Sequence, residues 1–278
     1  MTDPTTVPPR QMRLRYAGTC IKCRAALAAG TQAVYDSSTK TVTCVQCPPI
    51  GEDLDIQPID TGVAGASAQR EGDRRSNKRE ARIREAHPKI GGLILALSDD
   101  PQSTKAWSSG ARGEVALGRR LDSAVRDDLR VLHDRRIPGS RANIDHMVVG
   151  PSGVFVIDAK RYVDRRPSLS VEGGFFRPRV EKLMVGSRDQ TKLVVGVKGQ
   201  VERVESALEA AGFGSVSVRG MLCFVDGDWP LIGGDFEIAG VDVVWPGKAT
   251  RIVARPGNLD ARAVDRVLRS LASTFASA

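Results

Sequence analysis

Aromatic residues make up 5% of the 278 positions, histidine occurs three times, and no apolar run approaches the roughly 18 residues a membrane span requires. The most apolar stretch, Gly91 to Leu97, is far too short. A membrane partner and an aromatic base-stacking platform are therefore not expected. The first ten residues, Met1-Thr-Asp-Pro-Thr-Thr-Val-Pro-Pro-Arg10, hold no apolar segment behind a basic one. No secretory signal is expected, and a reducing cytoplasm is the default compartment. There the five cysteines should be thiols rather than a disulfide framework. No internal repeat is visible.

What the chain does have is enough apolar residue, 41%, to bury a core, and 27% charged positions. Wholesale disorder is excluded. The charge is unbalanced, with 41 Lys plus Arg against 33 Asp plus Glu, a net +8. That surplus favours a polyanionic partner, with nucleic acid first among candidates.

Composition divides the chain. Residues 1–12 read as a flexible tail, 13–48 as a cysteine unit closed by Pro48-Pro49, and 49–106 as a linker. Within the linker a helix is predicted over about 69–86, thick with Arg70, Arg74, Arg75, Lys78, Arg79, Arg82 and Arg84, and ended by His87-Pro88. It is either a solvated connector or a basic arm lying along phosphates. From 107 to 225 helix and strand signals alternate, the pattern of an α/β domain, and 226–278 should pack on it.

Ser108 or Ser109 can cap a helix to about Arg126, with Leu117, Leu121 and Val125 inward and Glu114 on the same stripe. Strands are predicted at Leu129–Arg135, Ile144–Val149, Val154–Lys160, Lys182–Val185, Val216–Val225, Val241–Val244 and Thr250–Ala254. A helix should run from about Gln190 to Ala211, and a terminal helix should follow Asn258 as its cap, with Val264, Val267, Leu268 and Leu271 inward.

Cys20-Ile-Lys-Cys23 and Cys44-Val-Gln-Cys47 form two C-x2-C pairs, the spacing that closes a tetrahedral zinc site. A hairpin between the knuckles, Thr31 to Asp36 and Thr39 to Cys44, makes this resemble a zinc ribbon. Four thiolates would fill every position on the ion, so the Zn2+ is expected to be structural. Cys223 stands apart and is expected in the core.

Hydrolysis of a phosphodiester with Mg2+ needs hard oxygen ligands converging on one or two ions and a cation beside the attacked phosphate. Glu114, Asp145, Asp158 and Lys160 can supply that set. Positions 158 and 160 share a strand face. If only Pro151 and Ser152 form the hairpin loop, Asp145 lies opposite Asp158; a bulge at Gly153 would shift this by one residue. The run Val154-Phe-Val-Ile157 lacks alternation, as in a strand covered on both faces, and a carboxylate ending such a run is costly unless paired or metal-bound. Asp158-Ala-Lys160 by itself is a pattern chance supplies; its weight comes from the hairpin and the helix around it.

The segments Gly110-Ala-Arg-Gly-Glu114, His133-Asp-Arg-Arg-Ile-Pro138, Asn143-Ile-Asp-His-Met-Val-Val-Gly-Pro-Ser-Gly153 and Val154-Phe-Val-Ile-Asp-Ala-Lys-Arg161 together resemble the nuclease-related domain (NERD) family. That family is grouped with the PD-(D/E)XK nucleases. The likeness covers about residues 109–210 and implies a mixed central sheet flanked by helices, here behind a small zinc ribbon. It further implies that Asp145 and Asp158 hold Mg2+ or Mn2+, with Glu114 auxiliary and Lys160 steadying the charged transition state. Gln200 resembles a glutamine often found at such sites.

The expected activity is thus metal-dependent cleavage of nucleic acid, DNA in the first place. Two rivals stand beside it: a non-catalytic nucleic-acid-binding module, and a zinc-bearing protein-interaction scaffold. Arg161, Arg165, Arg166, Arg177, Arg179 and Lys182 follow the site as either a phosphate-gripping rim or an ordinary solvated loop. His146 adjoins Asp145, but alternation turns it to the other sheet face, where packing is expected. His133 and His87 point to no role.

Overall fold

The structure is a computed structural model and describes residues 10–21, 25–37, 40–45, 58–97, 102–174, 178–230 and 233–278. The chain divides into two compact units, Met1–Pro58 and Ile59–Ala278.

In the first unit β1 (Arg10–Arg13), β4 (Gln32–Asp36) and β5 (Thr41–Cys44) form an antiparallel sheet in the order β1-β4-β5, while β2 (Gly18–Thr19) pairs with β3 (Ala26–Leu27). The expected hairpin is present as β4 and β5. Arg10, Gln11 and Met12 belong to β1, which corrects the tail drawn to residue 12: their backbone groups pair with Tyr35, Val34 and Ala33. Among the described residues the core is small, made of Leu14, Cys20, Leu27, Ala33 and Cys44 with Val42 against it.

The second unit opens with α1 (Ala66–Ala86), α2 (Gly91–Leu97) and α3 (Gln102–Asp122). There follow β6 (Arg130–Arg136), β7 (Asn143–Gly150), β8 (Gly153–Lys160), β9 (Pro167–Glu172), β10 (Val180–Val185), β11 (Arg188–Asp189) and α4 (Thr191–Ala210). The chain finishes with β12 (Val218–Phe224), β13 (Phe236–Ile238), β14 (Val241–Val244), α5 (Pro246–Val253) and α6 (Ala261–Thr274). No described helix is long and apolar enough to cross a membrane.

A mixed six-stranded sheet runs in the order β13-β14-β12-β8-β7-β6. β6, β7 and β8 are antiparallel neighbours, whereas β8, β12 and β14 are parallel, with α4 as the crossover between β8 and β12. Side chains alternate across the sheet. Val148, Phe155 and Ile157 meet Leu117 and Leu121 of α3 and Ile252 and Val253 of α5 on one face. Met147, Val149, Val154 and Val156 meet Val204 and Leu208 of α4 and Val264, Val267, Leu268 and Leu271 of α6 on the other. Both faces of β8 are therefore covered, as its unbroken apolar run predicts. Cys223 is buried in the α3 face.

Several expectations need correction. Thr250–Ala254 lies in α5 and the turn after it rather than in a strand; Pro246 starts that helix and buries Ala249, Ile252 and Val253 at helical spacing. Asp260, not Asn258, caps α6, its Oδ1 accepting from the Ala263 N–H at 2.7 Å. α3 begins at Gln102, so Ser108 and Ser109 lie inside it, and it ends at Asp122, leaving Val125 exposed. α1 starts three residues earlier than predicted. The small sheet β11-β10-β9 was read only through Lys182–Val185.

The outer edge of β6 is not open. The His133 N–H donates to Thr61 O at 2.7 Å, Arg136 N–H to Ala276 O at 2.8 Å, and Ala278 N–H to Asp134 O at 2.9 Å. Arg135, wholly buried, fixes the same edge: Nε donates to Phe275 O at 2.7 Å, Nη1 to Asp60 O at 2.8 Å, and Nη2 to Ala272 O at 3.2 Å.

Candidate active site

The β7–β8 hairpin carries the register expected of a two-residue loop, with Gly150 opposite Gly153 and His146 opposite Ile157. No bulge at Gly153 shifts it. Continued by one residue, the register sets Asp145 across from Asp158. There the ladder yields to a side chain: Asp145 Oδ2 accepts the Ala159 N–H at 2.8 Å. Both carboxylates lie on the side of the sheet that faces α4, since Met147 and Val156 alternate onto that face with them.

Asp158 is buried at the end of the apolar run, and its charge is met by the lysine two positions on. Lys160 Nζ donates to Asp158 Oδ1 at 2.8 Å and lies 2.7 Å from Oδ2. Burial alone would lower the Lys160 pKa, but the Asp158 and Asp145 carboxylates outweigh it and hold the ammonium charged well beyond the usual lysine range. Burial raises the Asp145 pKa well above the carboxylate norm, and Asp158 and Glu114 push it further the same way.

Glu114 comes from α3, half-buried. Burial first, then the Asp134 and Asp158 charges, push its carboxyl up to about 7, against the opposing pull of Lys160. Gly113 explains how α3 comes so near the hairpin: a Cβ there would meet the Arg161 Cβ at 3.0 Å. Arg161 in turn ties the strand end to the helix, Nη1 donating to Ser109 Oγ at 2.8 Å. The motif Gly113-Glu114 thus couples close approach to placement of an acid.

Gln200 of α4 reaches the same end of the sheet. Its Nε2 donates to Asn143 O at 3.4 Å, two residues before Asp145, and its buried Oε1 has no partner among the described residues. An acceptor left without a donor inside a protein is costly, and a cation or its bound water would satisfy it.

Sequence reasoning missed Asp134. The β6–β7 ladder passes from His133↔His146 to Arg135↔Ile144, skipping the Asp134 and Asp145 positions. Asp134 has φ +47°, a left-handed conformation that aspartate tolerates better than most residues. Its carboxylate accepts from the Ser67 N–H at 2.6 Å, Ser67 Oγ at 2.6 Å and Asn143 Nδ2 at 3.0 Å. One aspartate therefore anchors the start of α1 beside the site and charges the surroundings of Glu114. The signal was present: Pro138 to Arg141 is turn-like, and a four-residue loop there sets Ile137 against Ala142 and aligns Asp134, Asp145 and Asp158 in one row.

The histidines also form an unforeseen pair. His133 Nδ1 lies 2.8 Å from His146 Nδ1, and His133 Nε2 lies 2.9 Å from Asp122 Oδ1. As alternation predicts, His146 faces away from Asp145, under α3. Burial, then His133, keep its pKa well below the usual imidazole value, so it is neutral there.

The rim after β8 is largely paired with its own neighbours. Arg161 meets Asp226, Arg166 meets Asp228, Arg179 meets Glu181, and Lys182 meets Glu172. Arg177 lies outside the described residues. In the first unit Cys20 and Cys44 are buried together, the Cys44 N–H donating to Cys20 Sγ at 3.3 Å. Cys23 and Cys47 also lie outside the described residues. Among the described residues no three His, Cys, Asp or Glu side chains converge closely enough to hold a metal by themselves.

The paired aspartates, the lysine and the helix glutamate occupy the segment where comparison with known proteins gives a match. The family model described as nuclease-related domain (NERD) matches residues 109–225, a nuclease-related domain in a mixed α/β fold. No curated protein and no solved structure matches the chain.

Proposed function

We propose that the second unit is a metal-dependent nuclease of the PD-(D/E)XK type, cutting phosphodiester bonds of nucleic acid, with DNA as its expected substrate. The observation that carries this reading is Asp145 and Asp158 sharing one sheet face with Lys160 beside them. The donor set fits Mg2+ or Mn2+, which prefer hard oxygens and bind through one or two carboxylates, completing their shells with water and substrate phosphate. Asp145 and Asp158 would hold the ion, with Glu114 auxiliary and Gln200 Oε1, which has no partner among the described residues, a further oxygen donor at the site. When bound, such an ion lowers the pKa of water and offsets phosphate charge.

The chain's own residues supply the rest. Asp158 holds Lys160 Nζ at the strand end, where a cation offsets charge developing on the scissile phosphate. Glu114, with its carboxyl near neutrality, can take or give a proton at ordinary pH. The non-catalytic binding module draws on one observation, that both Asp158 oxygens already face Lys160.

The test is incubation with labelled single- and double-stranded DNA and RNA, with Mg2+, Mn2+ or chelator. Metal-dependent product formation that disappears in Asp158→Ala is the expected result. Salt-sensitive binding without product in any metal would assign the binding module instead.

For the first unit, a structural Zn2+ on Cys20, Cys23, Cys44 and Cys47 is part of the same proposal. A core this small does not sustain a fold unaided, and a backbone N–H aimed at Cys20 Sγ suits a metal-bound thiolate. Protein purified without chelator should carry close to one zinc per chain by elemental analysis, lost in Cys44→Ser. Zinc absent from the wild-type protein would refute it.

A further inference from the structure

The side of α1 that touches the candidate site continues outward as a row of cations. Ser67, at the start of the helix, contacts Asp134 and Asn143, and Asn143 O accepts from Gln200. Residues seven and eleven positions further along an α-helix return to the same stripe. Those residues are Arg74 and Lys78, and Arg82 follows four later, with Arg75 alongside. All three of Arg74, Lys78 and Arg82 are exposed. At 1.5 Å per residue they stand about 10, 16 and 22 Å along the axis from Ser67, spaced about 6 Å apart.

The two flanks of α1 differ. Asp73 and Ser76 line the groove toward α3, opposite Arg112 and Arg119. The stripe itself holds Glu71 at its base, where that carboxylate meets Arg74 at 2.8 Å and Arg75 at 2.6 Å, and Glu85 at its far end. Exposed ion pairs of this kind are weak and exchange readily for a phosphate. The rim after β8, the other basic segment near the site, meets an acid at each of Arg161, Arg166, Arg179 and Lys182, in pairs of the same exchangeable kind.

We infer that the Arg74–Lys78–Arg82 stripe of α1 is the backbone grip for a nucleic-acid strand leading into the Asp145–Asp158 site. The inference rests on the proposed function for its substrate class. Phosphates held there lie beyond the scissile bond, so the stripe governs affinity and not the chemical step.

Fluorescence anisotropy of the full chain with fluorescein-labelled 20-nucleotide DNA, single- and double-stranded, titrated with NaCl in chelator, tests this. The variant is Arg74→Ala/Lys78→Ala/Arg82→Ala. The control, Arg251→Ala/Arg262→Ala/Arg266→Ala, removes equal charge from exposed positions of α5 and α6. The stripe variant should bind roughly 10- to 50-fold more weakly at low salt and lose about 2–3 from its salt slope on duplex, with the control near wild type. Alanine suits a helix surface, and unchanged circular dichroism checks the fold. Equal loss in both variants, no loss in the stripe variant, or no binding by the wild type overturns the grip. Because chelator suppresses metal-dependent cleavage, a stripe effect without nuclease activity in the companion assay refutes the nuclease and keeps the grip. Cleavage with unchanged KM in the stripe variant refutes the grip and keeps the nuclease.

Discussion

Asp158→Ala and Lys160→Ala should each reduce metal-dependent cleavage by about 1,000-fold or more, the scale of removing one charge-stabilising group from a preorganised site. They should differ in another measurement. Lys160→Ala strips the cation from beside Asp158 and leaves two near carboxylates without compensation, so it should also lower the Tm of the metal-free protein. Asp158→Ala removes one of the repelling charges but orphans Lys160, so its Tm should fall less. Substrate binding in chelator should survive both. A turnover rate in either variant within ten-fold of wild type would overturn the assignment of the site.

Glu114→Gln should move activity and stability in opposite directions. The free carboxyl has its ordinary value near 4.5, and in the fold it is pushed up to about 7, chiefly by burial and then by Asp134. Between those values the folded chain holds a proton that the unfolded chain has released, so stability falls as pH rises through this window and stays reduced above it. The two and a half units separating them correspond to roughly 3 kcal/mol at most, and partial solvent contact brings the expectation to about 1–3 kcal/mol. In the metal-free protein, Glu114→Gln should therefore raise the Tm at pH 8 by roughly 3–8 °C and change it little at pH 5. Cleavage should fall in the same variant. Differential scanning calorimetry at the two pH values is the check, and a lower Tm at pH 8 would contradict the electrostatic account.

The hairpin was the most legible part of the site, because a Pro151-Ser152 loop leaves little choice of register and a continuous apolar run has to be covered on both faces. The same arithmetic applied to a Pro138–Arg141 loop would have exposed the His133–His146 pair and Asp134. What sequence could not supply was the direction of the Asp134 carboxylate, which depends on a left-handed residue interrupting the ladder. α5 was misread for a different reason. Thr250-Arg-Ile-Val-Ala254 is short, apolar and β-branched, and only Pro246 upstream and the burial of Ala249 with Ile252 and Val253 decide for helix. The pairing of Arg161 and Arg166 was not legible, since their acidic partners Asp226 and Asp228 arrive from a distant loop. Composition gave α1 its charge, but the stripe acquires meaning only once Ser67 is seen against Asp134.

The buried Arg135 guanidinium has a bearing on time. Its acceptor Phe275 O lies 140 residues further along the chain. At synthesis rates of about 5–20 residues per second, roughly 7–28 s separate the appearance of this arginine from that of its acceptor. The acid-bearing hairpin, which ends at Lys160, is complete early in that interval, while the outer β6 edge at Arg135 and Arg136 still waits for its partner. Sealing of this edge therefore waits on chain made long after β6, and until then the nascent protein presents the Arg135–Arg136 stretch of the outer β6 edge to whatever holds it.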